Sequence, residues 1–328
     1  MHGCIVGVVR RTSSTIAGNA ATNLGLGLFA ASLASGLGAC SDGDLATSTP
    51  LARSEATATV QAEAAGGGRR EAEVTVMLDW VPNTNHSGIF VAQTRGYFAD
   101  AGLDVEIIQP GEVMAQQAVA SGVADFGVDF QEQVTMSRAE GRPLVSIAAV
   151  LQHNTSGFAS RTDGEVSSPA DWADLRYGSF GSPFEAPTLR VLMDCAGGDF
   201  DRLEIVDTGM ADPLVLLAEG QTDLTWIFYG WQGLQAEQEG IDLHVEMMDD
   251  WFDCVPDYYT PILIASEKTI AERPEVVRAF LTALDRGYAV AAAEPTAAAQ
   301  ILLDAAPELD RDLVVASQTW LAPYYRSD

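Results

Sequence analysis

Basic side chains are scarce. Lys268 is the single lysine, and Lys and Arg together number 18 against 46 acidic residues, for a formal net charge of −28. A surface so negative repels phosphate backbones and anionic headgroups, which excludes nucleic acid and lipid surfaces as partners; charge on this scale otherwise speaks to solubility and not to fold. Cysteine is sparse too, at positions 4, 40, 195 and 254, with no Cys-x-x-Cys pair and no His-rich cluster. No structural zinc site is therefore expected, and no metal or other cofactor. A phosphate loop of the G-x-x-x-x-G-K type is missing. The longest apolar stretch, 21–38, is too short and too rich in Gly and Ala for a membrane-spanning helix. What is present, 47% hydrophobic and 20% charged residues in 328, excludes wholesale disorder, collagen and coiled coil. The length suits about two domains.

The first 39 residues read as an export signal: Arg10-Arg11 form a basic start, the apolar stretch follows, and Leu37-Gly38-Ala39-Cys40 resembles a bacterial lipobox. Cys40 would then carry a diacylglycerol and become the mature N-terminus. Export by the Sec or the twin-arginine route stays open. Residues 40–72, rich in Ala, Thr, Ser and Glu and ending near Gly66-Gly67-Gly68, lack apolar periodicity and read as a flexible tether. The layout predicts an extracytoplasmic protein, lipid-anchored to the cell membrane. Cys195 and Cys254 are left for an oxidising compartment, where a disulfide and two separate buried thiols are both compatible with the sequence.

From residue 74 the pattern alternates. Strands are predicted at 74–80, 103–108, 124–128 and 145–152, with helices at 89–98, 114–121 and 132–140 between them. Alternation restarts with strands at 176–180, 203–207 and 223–229 and helices at 186–193 and 213–219; from 274 onward the chain reads as helical. Two such units predict an α/β fold of two lobes, each a parallel sheet covered by helices on both faces. Ligands of open α/β sheets sit beyond the carboxyl ends of the strands, so a cleft between the lobes is the expected site.

Aromatic, amide and acidic groups concentrate at those strand ends: Asp79-Trp80, then Asn83-Thr84-Asn85-His86; Phe130-Gln131-Glu132-Gln133; Gln152-His153-Asn154-Thr155; Ser182-Pro183-Phe184-Glu185; Trp226 through Trp231; and Asp257-Tyr258-Tyr259-Thr260-Pro261. Only Arg190 and Arg202 lie near the middle of the second unit, so the cleft lacks the fixed cations that sulfonate, nitrate or phosphate would require. Aromatic faces with carboxylate and carboxamide edges suit a flat, neutral or weakly basic heteroaromatic. Stacking contributes about 0.5–1.5 kcal/mol per aromatic pair beyond area burial, and an acid matches the donor amine and acceptor nitrogen of an aminopyrimidine edge.

The run Leu78-Asp79-Trp80-Val81-Pro82-Asn83-Thr84-Asn85-His86-Ser87-Gly88 resembles the opening motif of the ThiY-type substrate-binding proteins, within the thiamine-pyrimidine-synthase-like superfamily. Gln131-Glu132-Gln133, the segment 152–158, Gly181-Ser182-Pro183, the segment 226–231 and the segment 257–261 match as well, so the resemblance runs from about Val74 to Tyr325. It implies a two-lobed type II periplasmic-binding fold that closes by a hinge, working as the extracytoplasmic receptor of an ABC importer that salvages formyl-aminopyrimidine or hydroxymethylpyrimidine for thiamine. The partners implied are that small ligand and the importer's permease and ATPase subunits, with the receptor a monomer. The lobes fall at 73–155 plus 260–328 and at 156–259. Asp79 and Glu185 are expected to hydrogen-bond the ring edge with Asn83 helping, Trp80, Tyr229 and one of Tyr258 or Tyr259 to stack on it, and His86 to sit at its rim. Trp226 and Asn154 are second choices, Trp226 and Trp231 being equally suited to core packing. Glu185 equally suits a helix N-terminus and His86 a turn.

Two alternatives are weighed. Sulfonate, taurine and nitrate receptors share the broad fold but need cleft cations. The fungal pyrimidine synthase of the superfamily consumes, with iron, a histidine matching His86; it carries a cysteine-rich CCCFC-type motif where this chain has Phe252-Asp253-Cys254-Val255-Pro256, so the chain is expected not to be an enzyme. The sequence also stops at Asp328, sooner after Tyr324-Tyr325 than the family pattern, which predicts a gap in first-lobe packing.

Overall fold

The computed structural model describes residues 71–326 except 112, 162–165 and 210. The signal segment, Cys40 and nearly all of the tether lie outside the described residues. The first half runs β1 (Ala72–Met77), α1 (Ser87–Thr94), α2 (Tyr97–Asp100), β2 (Leu103–Ile108), α3 (Ala115–Ser121), β3 (Phe126–Asp129), α4 (Gln131–Ala139) and β4 (Leu144–Ala149). The second half runs β5 (Ser156–Arg161), β6 (Arg176–Ser179), α5 (Glu185–Ala196), β7 (Glu204–Asp207), α6 (Pro213–Ala218), β8 (Leu224–Phe228), α7 (Leu234–Glu239) and β9 (Leu243–Met247). The chain then returns through β10 (Ile262–Ser266) to α8 (Glu267–Glu272), α9 (Pro274–Ala293), α10 (Pro295–Ala305) and α11 (Arg311–Leu321).

Two five-stranded sheets result, ordered β2-β1-β3-β10-β4 and β7-β6-β8-β5-β9. The parallel sheets expected from the alternation are in fact mixed. β10 runs antiparallel to β3 and β4, and β5 antiparallel to β8 and β9. Each sheet takes in a strand that the chain delivers by crossing from the other sheet, and such a strand needs no helical crossover to enter. Only two segments cross, 150–155 and 248–261. They are tied together by Asp257, whose carboxylate accepts from the Asn154 backbone N–H at 3.1 Å and meets His153 Nδ1 at 2.6 Å.

α9 buries one face, Val276, Val277, Phe280, Ala283, Leu284, Gly287, Tyr288 and Ala291, at the spacing a helix seam requires. Pro274 sets its first turn, and helix-favouring alanines carry it to Ala293. Phe280 is wholly buried between Phe126 and Phe98, with ring centroids at 4.0 and 5.4 Å, a burial contributing about 1.5–3 kcal/mol. α1 lies so close to α9 that a methyl group on Gly287 would run into the Gly88 carbonyl oxygen. Cys195 at the end of α5 is bonded to Cys254, 59 residues on. A cavity of ≈ 400 Å³ opens between β4 and α9 beside Tyr325 and Arg326.

Candidate functional site

The loop after β1 is held from below. Asn83 caps a single 3-10 turn: its Oδ1 accepts from Asn85 N–H at 2.9 Å and its Nδ2 donates to Val81 O at 3.0 Å. The turn swings His86 back so that Nδ1 accepts from Asn83 N–H at 3.2 Å. With Nδ1 an acceptor, Nε2 carries the hydrogen and gives it to Asp79 Oδ1 at 2.7 Å. His86 has no exposed surface. It and Asn83 thus spend their polar atoms on the loop itself. Tyr325 Oη donates to Thr84 O, Tyr288 Oη to Asn85 O, and Thr84 Oγ1 meets Ser317 Oγ at 2.6 Å. Trp80 is half-buried at the start of the loop.

In the second sheet, Glu185 opens α5 and is almost fully buried. Its carboxylate accepts from Tyr177 Oη at 2.6 Å, Ser179 Oγ at 3.0 Å, Phe180 N–H at 3.2 Å and Ser182 N–H at 2.6 Å. This is a carboxylate at a helix N-terminus knotting the strand end to the helix, where the dipole also favours it. Burial and the Glu185 charge together hold the Tyr177 phenol well above its ordinary range. Trp226 on β8 joins a cluster with Phe158 at 4.9 Å, Phe184 at 5.5 Å and Phe180 at 6.3 Å, and its Nε1 has no hydrogen-bond partner. Tyr229, expected in the strand, instead begins a π-helical turn, Tyr229–Gly233. Its hydroxyl donates to Glu237, which pushes its pKa up to about 12, and its ring packs on Trp320 of α11 at 5.4 Å. Ser317 of the same helix donates to Gly230 O, so α11 bonds both the Thr84 loop and this turn.

The two sheets meet where the crossing segments pass α4. Phe130 and Phe228 stack at 5.9 Å across the junction, and Tyr259 N–H donates to Gln131 Oε1. Asn154 Oδ1 accepts from Ser156 N–H and Oγ, which fixes the amide's orientation and leaves its buried Nδ2 without a partner. Tyr258 lies beside the Asn154 amide and the Glu132 carboxylate; burial, ahead of the Glu132 charge, drives its phenol pKa far upward. Tyr259, by contrast, is 49% exposed.

Two acids here were given no role by the sequence reading, although Glu132 lies in one of the matched segments. Asp129 ends β3 as Asp79 follows β1, and Glu132 lies three residues on, in the first turn of α4. Burial, opposed by the Phe130 N–H and reinforced by the charges of Asp79 and Glu132, pushes Asp129 up to about 7. Burial likewise pushes Glu132 up to about 7, against the pull of its own backbone N–H and the Tyr258 hydroxyl. Asp129 Oδ2, Glu132 Oε2 and Thr260 Oγ1 are buried with no hydrogen-bond partner. The signal was available: an acid at a strand's carboxyl end is the argument that singled out Asp79, and it applies equally to Asp129. A cavity of ≈ 470 Å³ spans the junction, with Glu132, Gln131 and Met136 on one side, Phe184, Pro183 and Thr188 on the other, and Tyr258 and Asp257 on the crossing segment. Among the described residues nothing basic lines it. Arg190 pairs with Asp201 and lies over Phe200, and Arg202 pairs with Asp174, both in solvent. Among the described residues no group of three His, Cys, Asp or Glu is placed to hold a metal ion.

The chain thus brings Asp79, Asp129, Glu132, Asn154 and Tyr258 into one electrostatically coupled set and carries Phe184, with Trp226 behind it, to the facing wall. It places Tyr229 against α11 instead. Residues 83–298 match a family described as NMT1/THI5 like. A formylaminopyrimidine-binding protein of Halalkalibacterium halodurans is 32% identical over 245 residues, 74% of this chain and 73% of that one. A 4-amino-5-hydroxymethyl-2-methylpyrimidine phosphate synthase of Legionella pneumophila is 26% identical over 259 residues, 78% of this chain and 80% of that one. In three dimensions, the alkanesulfonate-binding protein SsuA of Xanthomonas axonopodis pv. citri, bound to MOPS, superposes with a TM-score of 0.61 at 13% identity, covering 79% of this chain and 85% of that one. That likeness establishes the two-lobed periplasmic-binding fold and nothing about the ligand.

Proposed function

The chain belongs to the NMT1/THI5-like family, and from that membership we propose that it is the extracytoplasmic substrate-binding component of an ABC importer, taking up an aminopyrimidine precursor of thiamine. The observation that carries the reading is the junction cavity: acids and amides on one wall, aromatic and proline surface on the other, and no cation among its lining residues. A planar weak base is stabilised there by stacking and by carboxyl hydrogen bonds, whereas a sulfonate or nitrate would enter a field of like charge. The relative named for formylaminopyrimidine supports the same ligand class.

We read the lobes as 73–155 with 260–328 and 156–259, closing about the two crossings, and the chain ahead of them as a signal (1–39), lipidated Cys40 and a tether to 72. The receptor acts as a monomer that hands its ligand to permease and ATPase subunits. In this reading Tyr258, Phe184 and Trp80 provide ring faces, Trp226 backs Phe184, Asn154 donates through Nδ2, and Asp79, Asn83, His86 and Glu185 hold the walls in place. The reading is of a binder and not of a synthase. His86, at the position the fungal enzyme consumes, is sealed from solvent with both ring nitrogens bonded. Calorimetry with formyl-aminopyrimidine, hydroxymethylpyrimidine and taurine tests the proposal; thermal unfolding serves equally, since one-site binding at 100 times Kd adds about 2.7 kcal/mol of stability. Binding of both pyrimidines and not of taurine is expected. A response to taurine with none to either pyrimidine overturns it.

A further inference from the structure

The acids that the walls do not consume point to a more specific role. Asp79 is engaged by His86, Glu185 by four donors, and Asp257 by His153 and the Asn154 N–H. Glu132 alone among the acids lining the junction cavity keeps a buried carboxylate oxygen with no partner. Resting on the function proposed above, we propose that Glu132 reads the ring edge of the ligand, and that the complex holds one proton between its carboxyl group and a ring nitrogen of an amidine-type heterocycle.

The geometry suits this. Glu132 projects from the first turn of α4 into a cavity whose opposite wall is Phe184 and Pro183, so a flat ring lying along that wall turns its edge toward the carboxyl group. A carboxyl and an amidine edge are complementary two-point partners, one oxygen toward the ring nitrogen and the other toward the exocyclic amine. The groups facing Glu132 are Asp129 from β3, Tyr258 and Asp257 from the crossing segment, and, through Asp129, Asp79; the opposite wall of Pro183, Phe184 and Thr188 contributes no ionisable group. The acids among them favour keeping a proton at the site, against the Tyr258 hydroxyl, which favours the carboxylate. A neutral carboxyl with a neutral ring, or a carboxylate with a protonated ring, contains the same single proton, and the complex forms from either.

Below about pH 7 the free Glu132 carboxyl already holds this proton, so binding a neutral ring exchanges none. Above it the proton comes from solvent, and affinity falls up to about tenfold per pH unit. The test is calorimetry with formyl-aminopyrimidine from pH 6 to 9 in buffers of different ionisation enthalpy. For the wild type we expect proton uptake of about a quarter at pH 6.5, approaching about one at pH 8.5. E132Q should bind at least about tenfold more weakly at pH 6.5 and lose the slope above pH 7, while E132D restores part of the slope. The wild-type measurement requires no variant, so absence of uptake at pH 8.5 overturns the proposal even if E132Q does not fold. Affinity of E132Q within twofold of wild type also overturns it, as does an unchanged slope in E132Q, which would assign the proton to Asp129. In each of those outcomes the pyrimidine still binds and the proposed function stands. No pyrimidine binding by the wild type at any pH overturns both.

Discussion

Replacing Glu185 with alanine separates a supporting acid from a ligand-binding one. The carboxylate accepts four hydrogen bonds, from Tyr177, Ser179, Phe180 and Ser182, with almost no exposed surface. Hydrogen bonds to a charged group contribute about 1.5–3 kcal/mol each, and a buried donor left unsatisfied costs about 1–3 kcal/mol. The four share one group and are not additive, and the Ser179 hydroxyl can rotate to another acceptor. The buried Tyr177 hydroxyl and the Ser182 N–H have no such recourse. The helix also loses its N-terminal anion, at about 0.3–1 kcal/mol. Together these give about 3–5 kcal/mol of destabilisation, or on the order of 10 °C in Tm for a protein of this size. Urea unfolding followed by circular dichroism, with calorimetric titration of formyl-aminopyrimidine on the folded variant, measures both effects. Loss of stability with affinity reduced less than about fivefold is expected. Stability within about 1 kcal/mol of wild type together with a drop in affinity of a hundredfold or more would show that the carboxylate serves the ligand, and the argument from its four partners would fail.

Reduction, or the pair Cys195→Ser and Cys254→Ser, opens a loop of 59 residues and should cost about 4 kcal/mol by the chain-entropy relation, read as a lower urea midpoint under reductant. Asp129 is held up to about 7 while its unfolded value is near 3.8. The native state therefore binds the extra proton between those values, and stability falls as pH rises through that window. D129N should remove the Asp129 share of this fall, leaving that of Glu132, and be more stable than wild type at pH 8 by a few kcal/mol, which urea midpoints at pH 5 and 8 would show. Gly287→Ala drives a methyl group into the Gly88 carbonyl oxygen. It should destabilise by at least about 1–3 kcal/mol and weaken ligand binding as well, because α1 carries the Thr84 loop; a stable variant with unchanged affinity would contradict the close packing.

Much of this architecture is written in the chain. The alternation from 74 to 229 gives nearly every strand of the first half at the right place, because buried apolar strands and amphipathic helices have different periods. β5, β9 and β10 were not legible: Ile262–Ser266, for one, is a short apolar run after proline, whose partners β3 and β4 lie more than a hundred residues earlier, so only tertiary pairing defines it. The strand directions were missed for the same reason. At the site, the sequence located the right loops but not what each acid does there. Asp79 and Asp129 look alike in one dimension, and what distinguishes them is a histidine seven residues away that folds back onto one of them. Tyr229 was misplaced because a π-helical turn leaves no periodic trace over five residues.

Asp257 has a mechanical consequence. By gripping both the His153 side chain and the Asn154 N–H, it fastens the outgoing and returning threads of the polypeptide into one bar. A body suspended from a single thread can swivel freely, but one hung from two fastened threads swings like a door about the line joining them. Loosening that clasp with D257N would therefore add sideways twist to the swing, visible as a broader distribution of distances between spin labels placed on the two halves.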